Sequence, residues 1–120
     1  METSLHHIHL FASDLDESVK FYQDMFEAKI LFDRGSAETR NVMIEIGASK
    51  IIIYNQAPKD KGSGAFWHLG FETNDLETLV EHMKSIGYQF SNEIKSLNNL
   101  KYVMASAPDN VLLELFEVVR

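Results

Sequence analysis

The order of hydrophobic patterns in this chain occurs twice, and that repetition constrains its fold more than any other feature. Residues 5–11 alternate His with Ile and Leu, the period of two expected of a strand. Ser13-Asp14-Leu15-Asp16 then offers an N-cap serine with a carboxylate three residues on. It opens a helix whose apolar residues Leu15, Val19, Tyr22 and Phe26 form one stripe. Strands are expected at 29–33, 41–46 and 50–55, the last two joined by a turn at Gly47-Ala48-Ser49. A polar stretch with two glycines follows at about 58–64, and the order restarts. Residues 65–72 read as a strand. Asn74 is expected to cap a helix with the stripe Leu76, Leu79, Val80 and Met83, stopped by Gly87. Strands at 88–94, 100–106 and 111–118 complete the second copy, with Ala107-Pro108-Asp109-Asn110 as its last turn.

Each copy is therefore a βαβββ unit, and the class is α+β. Subtraction sets the register: 68 − 7, 75 − 14, 76 − 15, 80 − 19, 103 − 42 and 104 − 43 all equal 61, and each pair is an identity. Six identities persuade less than the matching order of caps, stripes and turns. The expected organisation is one domain over 1–120, with module one at about 1–58 and module two at about 65–120.

The totals narrow the chemistry. A chain of 120 residues with 45% hydrophobic and 24% charged side chains can bury a core without staples. The absence of cysteine excludes disulfides, thiolate metal clusters and a thiol nucleophile, so any metal must take nitrogen and oxygen ligands. A net charge of −7 with scattered Lys and Arg argues against nucleic acid. No run reaches the 18 or so apolar residues of a membrane helix, and the start lacks the pattern of a signal peptide, so a cytoplasmic location is expected.

Alternation places His7, His9 and Phe11 on one face of the first strand, opposite Ile8 and Leu10, whose apolar side should lie under the helix. In the second copy, His68, Gly70 and Glu72 take the face opposite Leu69 and Phe71. In Val111-Leu112-Leu113-Glu114-Leu115-Phe116 a carboxylate interrupts an apolar run, where it needs a cation or a hydrogen-bond network. Two neutral imidazoles and a carboxylate, with open coordination positions, suit one divalent ion such as Fe, Mn, Zn, Ni or Co.

The stretch from His7-Ile8-His9-Leu10-Phe11 through Asp14-Leu15 to Phe21-Tyr22, with His68-Leu69-Gly70-Phe71 and Pro108-Asp109-Asn110 to Leu113-Glu114-Leu115, resembles the glyoxalase, bleomycin-resistance and dioxygenase superfamily, also called vicinal oxygen chelate proteins. The resemblance covers essentially the whole chain. It implies two tandem βαβββ modules forming a cupped mixed sheet with helices on the outer face, and a homodimer. It also implies metal ligation by His7, His68 and Glu114. A fourth ligand, used by the glyoxalase I and epimerase branches, would fall on Ile53 by subtracting 61 from Glu114, or on Tyr54 with a one-residue slip. Neither supplies the Glu or Gln of those branches, so three ligands are expected. The phosphonate-binding cluster of the fosfomycin-opening branch is not reproduced in Lys95-Ser96-Leu97-Asn98-Asn99, and that reaction is not expected.

The remaining candidates divide by role. His9 and Glu72 share the open faces and could transfer protons, while packing or rim exposure explains them as simply. Phe11, Ile53, Tyr102 and Phe116 are expected to line a substrate pocket, although Trp67, Phe11, Tyr102 and Phe116 also read as plain core aromatics. Arg40 could attract an anion or be a surface charge. Two functions follow: a metal-dependent lyase, isomerase or dioxygenase acting on a small oxygen-bearing substrate, or a metal-free cup that sequesters an aromatic compound.

Overall fold

Parallel pairing of a first strand with a last strand builds each half of the chain. The computed structural model describes residues 1–59 and 64–120, so residues 60–63 of the expected linker lie outside the described residues. The chain forms two compact units, Met1–Gly62 and Ser63–Arg120. In the first unit the order is β1 (Ile8–Phe11), α1 (Leu15–Phe26), β2 (Lys29–Arg34), β3 (Asn41–Ile46) and β4 (Ser49–Tyr54). In the second it is β5 (Leu69–Glu72), α2 (Leu76–Ser85), β6 (Lys95–Leu97), β7 (Leu100–Ala107) and β8 (Val111–Val118), with a 3-10 turn at Pro108–Asn110. Each unit holds a four-stranded mixed sheet, ordered β1-β4-β3-β2 and β5-β8-β7-β6. The expected α+β class and tandem βαβββ order are what the structure shows. No helix is long and apolar enough to cross a membrane.

The helices start one residue later than the sequence reading placed them. Asp14, not Ser13, caps α1 through a 3.1 Å bond from the Glu17 N–H to its carboxylate. Asp75, not Asn74, caps α2 and accepts from both the N–H (3.1 Å) and the hydroxyl (2.8 Å) of Thr78. A carboxylate is the better cap because its charge also meets the positive end of the helix dipole. Those bonds hold the Asp75 carboxyl below its ordinary pKa. Beyond α2, Gly87 adopts φ 103°, as a helix stop requires. Glu27 does the same job after α1 at φ 58°, a strained choice that its N–H bond to the Gln23 carbonyl (3.0 Å) supports.

Helix α1 packs on β3 and β4, and α2 on β8. The layer between helix and sheet is closed in both units: Tyr22, Val42, Ile44 and Ile53 in the first, and Leu76, Met83, Leu113 and Leu115 in the second, are each 1% exposed or less.

One expected strand is missing. Residues 88–94 do not join the sheet, and only Lys95–Leu97 pairs with β7, from Lys95↔Tyr102 to Leu97↔Leu100. The Tyr88 hydroxyl instead accepts the Ser106 N–H at 2.7 Å, taking a place that a strand carbonyl would fill. Ser91-Asn92 favours a turn over continued pairing. The segment stands away from α2 around a cavity of about 440 Å³ lined by Val80, Lys84, Phe90, Ile94 and Val103 among others.

The alternation along β8 yields a stability prediction. Leu115→Ala, at a fully buried helix-facing position, should lower unfolding stability by about 2–5 kcal/mol. Leu112→Ala, half-buried on the opposite face, should cost clearly less in the same urea titration. Equal losses would contradict the facing assigned to this strand.

Candidate metal centre

Strand register decides which side chains share an open face. In the second unit β5 and β8 run parallel with Leu69↔Leu113, Gly70↔Glu114, Phe71↔Leu115 and Glu72↔Phe116 in register. Leu69, Leu113 and Leu115 are buried on the helix side. Gly70, Glu72, Glu114 and Phe116 therefore lie on the other side, and alternation carries His68 to that side as well. The Phe116 ring confirms the facing: a Cβ built on Gly70 would stand 3.5 Å from its Cε1. His68 immediately precedes β5 and Glu114 lies on the neighbouring β8, and alternation places both on one face of the second unit.

Among the described residues both have polar atoms without a hydrogen-bond partner. The Nδ1 atom of His68 is buried without a hydrogen-bond partner, and among the described residues Glu114 makes no hydrogen bond or ion pair. Glu114 is half-buried. A buried polar atom left unpaired costs free energy, so an imidazole nitrogen and a carboxylate left open on one face form a donor set that a divalent ion would satisfy. The exposed Trp67 ring leans on His68, with centroids 4.5 Å apart.

In the first unit β1 pairs parallel with β4, His9 opposite Ile52 and Phe11 opposite Tyr54. The open face carries His7, His9, Phe11 and Tyr54 in a row of ring contacts: His7 to His9 at 6.5 Å, His9 to Phe11 at 6.3 Å and His9 to Tyr54 at 6.2 Å. His7 is exposed, and its Nδ1 lies 3.0 Å from Nδ1 of His6. His7 therefore stands in the first unit, and His68 and Glu114 together in the second.

The register also corrects the repeat arithmetic. First strands differ by 69 − 8 = 61, but last strands differ by 113 − 51 = 62. The cause is turn length. Two residues, Gly47 and Ala48, join β3 to β4 between the partners Ile46↔Ser49, whereas Pro108, Asp109 and Asn110 join β7 to β8 between Ala107↔Val111. The first-unit counterpart of Glu114 is hence Ile52, neither Ile53 nor Tyr54. Ile53, expected in a pocket, is 1% exposed in the helix-side layer. Phe11, Tyr102 and Phe116 do lie on open faces, with Tyr102 opposite Phe116 across β7 and β8. Glu72 is exposed, in register with Phe116.

Other charged groups are engaged elsewhere. Arg40 donates to Asp33 through Nε (2.9 Å) and one terminal nitrogen (2.8 Å), and to Asp16 through the other (2.8 Å). It is thus a structural cation between three elements, and not an open anion receptor. Asp75, Glu77 and Glu117 bring carboxylate oxygens within 4.8 Å of one another. Lys101 already binds two of them, at 2.8 and 2.9 Å from the two Glu77 oxygens and 3.7 Å from Glu117. Glu117 also accepts the Leu76 N–H at 2.8 Å, so this cluster anchors the start of α2.

Comparison with known proteins adds the family. The sequence model of the Glyoxalase/Bleomycin resistance protein/Dioxygenase superfamily matches residues 4–115. Among solved structures, the fosfomycin resistance protein FosX from Listeria monocytogenes superposes with a TM-score of 0.81 at 21% identity, covering 98% of this chain and 94% of that one. A variant of FosX in complex with Mn(II) and 1S,2S-dihydroxypropylphosphonic acid superposes at 0.80 with 19% identity, over 99% and 95% of the chains. A glyoxylase/bleomycin resistance protein/dioxygenase domain from Frankia sp. EAN1pec gives 0.79 at 20% identity, over 98% and 93%. At such identities the likeness carries the fold alone.

The Arg40 network predicts a pH effect. Arg40 holds the Asp33 carboxyl below its ordinary value of 3.8, chiefly by hydrogen bonding. Because the folded value is depressed, the pair stabilises the protein above the ordinary carboxylate range, and the gain fades as pH falls through the lowered value. In Arg40→Ala, Asp33 should titrate higher by carbon-detected NMR, and the acid limb of the stability curve should flatten. An unmoved Asp33 would show that the guanidinium does not set its charge.

Proposed function

This chain belongs to the glyoxalase/bleomycin resistance protein/dioxygenase superfamily, and from that premise we propose that it is a metal-dependent enzyme whose divalent ion is held by His7, His68 and Glu114. The observation that carries the reading lies in the second unit, where, among the described residues, Nδ1 of His68 just before β5 and the Glu114 carboxylate on β8 have no hydrogen-bond partner. Mn(II) in a FosX complex supports metal use among structural neighbours.

What a divalent ion contributes when bound is Lewis acidity toward one or two oxygens of a small substrate, in lyase, isomerase or dioxygenase chemistry. The protein's own groups do the rest. Tyr102 and Phe116, on the open face that carries Glu114, would offer apolar surface to a bound substrate, and Phe11 would do the same on the face that carries His7. Glu72, exposed on the same face and in register with Phe116, is the candidate to accept or return a proton. With Arg40 bound to Asp33 and Asp16, these faces favour a neutral or weakly charged substrate over a phosphonate. Dimerisation through further sheet or helix contacts belongs to the same reading, and sedimentation as a compact monomer at micromolar concentration would count against it.

The direct test is metal analysis of purified protein loaded anaerobically with Fe(II), Mn(II), Zn(II), Ni(II) or Co(II) in turn. Wild type should hold one equivalent, and His68→Ala and Glu114→Gln should each lose it while keeping the wild-type circular dichroism. A wild type that takes up no ion, yet quenches its fluorescence with aromatic ligands, would establish the sequestering cup instead.

A further inference from the structure

The cavity beside α2 lies on the opposite side of the second sheet from Glu114. Val103, which forms part of its wall, is in register with Leu115 and only 2% exposed on the helix side. The space exists because residues 88–94 stand off the sheet. The corresponding place in the first unit is filled by β2, which pairs with β3 from Lys29↔Glu45 to Arg34↔Asn41, whereas β6 pairs with β7 only from Lys95↔Tyr102 to Leu97↔Leu100. At about 440 Å³ the cavity falls within the range of small-molecule pockets, about 300–1,000 Å³.

Its lining is divided by polarity. Val80 and Val103, both buried, form an apolar floor, and Phe90 and Ile94 of the detached segment add apolar walls that are only half-buried. The rim is charged. Glu77, Glu81 and Lys84 follow one face of α2 at spacings of four and three residues, and Glu93 stands on the detached segment. Both carboxylate oxygens of Glu77 are engaged by Lys101, at 2.8 and 2.9 Å. The side chains of Glu81, Lys84 and Glu93 are exposed and make no hydrogen bond or ion pair among the described residues. Free carboxylates therefore outnumber free ammonium groups around an apolar hollow. An apolar body is stabilised by leaving water for the floor, and a positive end finds complementary charge at the rim.

We propose that this cavity is a second ligand site, taking a small organic amine whose apolar body lies against Val80, Phe90 and Val103 and whose ammonium group meets Glu81 and Glu93. The site is confined to the second unit, uses none of the candidate metal ligands and stands independently of the metal reading.

The test uses the full chain freed of metal, with tryptamine as the probe and two near-isosteres, neutral tryptophol and anionic indolepropionate, as controls. In amide NMR titrations tryptamine should bind with a Kd of about 1 mM or tighter, and the shifted resonances should gather at 77–84, 90–94 and Val103. Tryptophol should bind about three- to tenfold more weakly, the scale of one or two exposed ion pairs, and indolepropionate more weakly still. The double variant Glu81→Gln/Glu93→Gln should lose the preference for tryptamine over tryptophol, whereas Phe90→Ala should weaken the binding of both. Because Glu81 and Glu93 are exposed, the double variant should keep the wild-type urea midpoint, which separates lost recognition from lost folding. The proposal is overturned by an absence of saturable tryptamine binding, by equal affinity for the three compounds, or by a preference that persists in the double variant. Shifts centred on Glu114 and Phe116 would overturn it as well, by placing the amine on the open face.

Discussion

The parallel pairing of the first strand of each unit with its last is the constraint on which the rest depends. It joins residues more than forty positions apart, Ile8 to Ile51 and Leu69 to Leu113. A parallel connection needs a crossover, and here α1 or α2 begins the return, so the same pairing that buries Ile53 and Leu115 beneath a helix exposes Ile52 and Glu114 on the far side. The apolar layer and the candidate ligands are two faces of one register. A one-residue slip would exchange them, bringing the Glu114 carboxylate under α2 and Leu115 into the open. The cost of burying that carboxylate is what pins the register.

Charge is distributed to match. The cations that could have drawn anions are used to tie elements together. Arg40 links β2 and the first turn of α1, and Lys101 links β7 to the start of α2. Each neutralises carboxylates within its own unit, and Glu117 uses its remaining capacity on the Leu76 N–H. The carboxylate at 114 has no such partner among the described residues. The contrast between Glu117 and Glu114, three residues apart on one strand and on opposite faces, separates a structural carboxylate from one available to a ligand.

Most of the fold was legible because periodicity is a direct imprint of burial. The apolar runs at 41–46 and 111–118, bounded by turns, gave β3 and β8, and the stripes Leu15/Val19/Tyr22 and Leu76/Val80/Met83 gave both helices. Caps were misplaced by one residue because Ser13-Asp14 and Asn74-Asp75 each offer two capping side chains, and only three-dimensional geometry selects the carboxylate. The expected strand at 88–94 failed for a different reason. Its alternation is real, but the Tyr88 hydroxyl takes the Ser106 N–H and pairing starts only at Lys95. Burial within a loop leaves the same alternating signature as burial within a sheet.

The candidate site was legible as residue types and not as rows. His7, His68 and Glu114 stand out in the sequence because imidazole and carboxylate are unexpected in apolar strands. The relation between His9, Ile52, Gly70 and Glu114 is invisible there, because a constant offset of 61 hides the extra residue in the turn at Pro108–Asn110. Asp109 and Asn110 occupy left-handed backbone, at φ 63° and 60°, which Asp and Asn tolerate better than most residues. That tolerance admits the longer turn, and the longer turn shifts every residue of β8 by one against its first-unit counterpart. Had both turns been two residues long, with the sequence otherwise unchanged, the residue beside Gly70 would have been Leu113, an apolar side chain. The composition of one turn thus decides whether the last strand presents a carboxylate or a leucine to the open face.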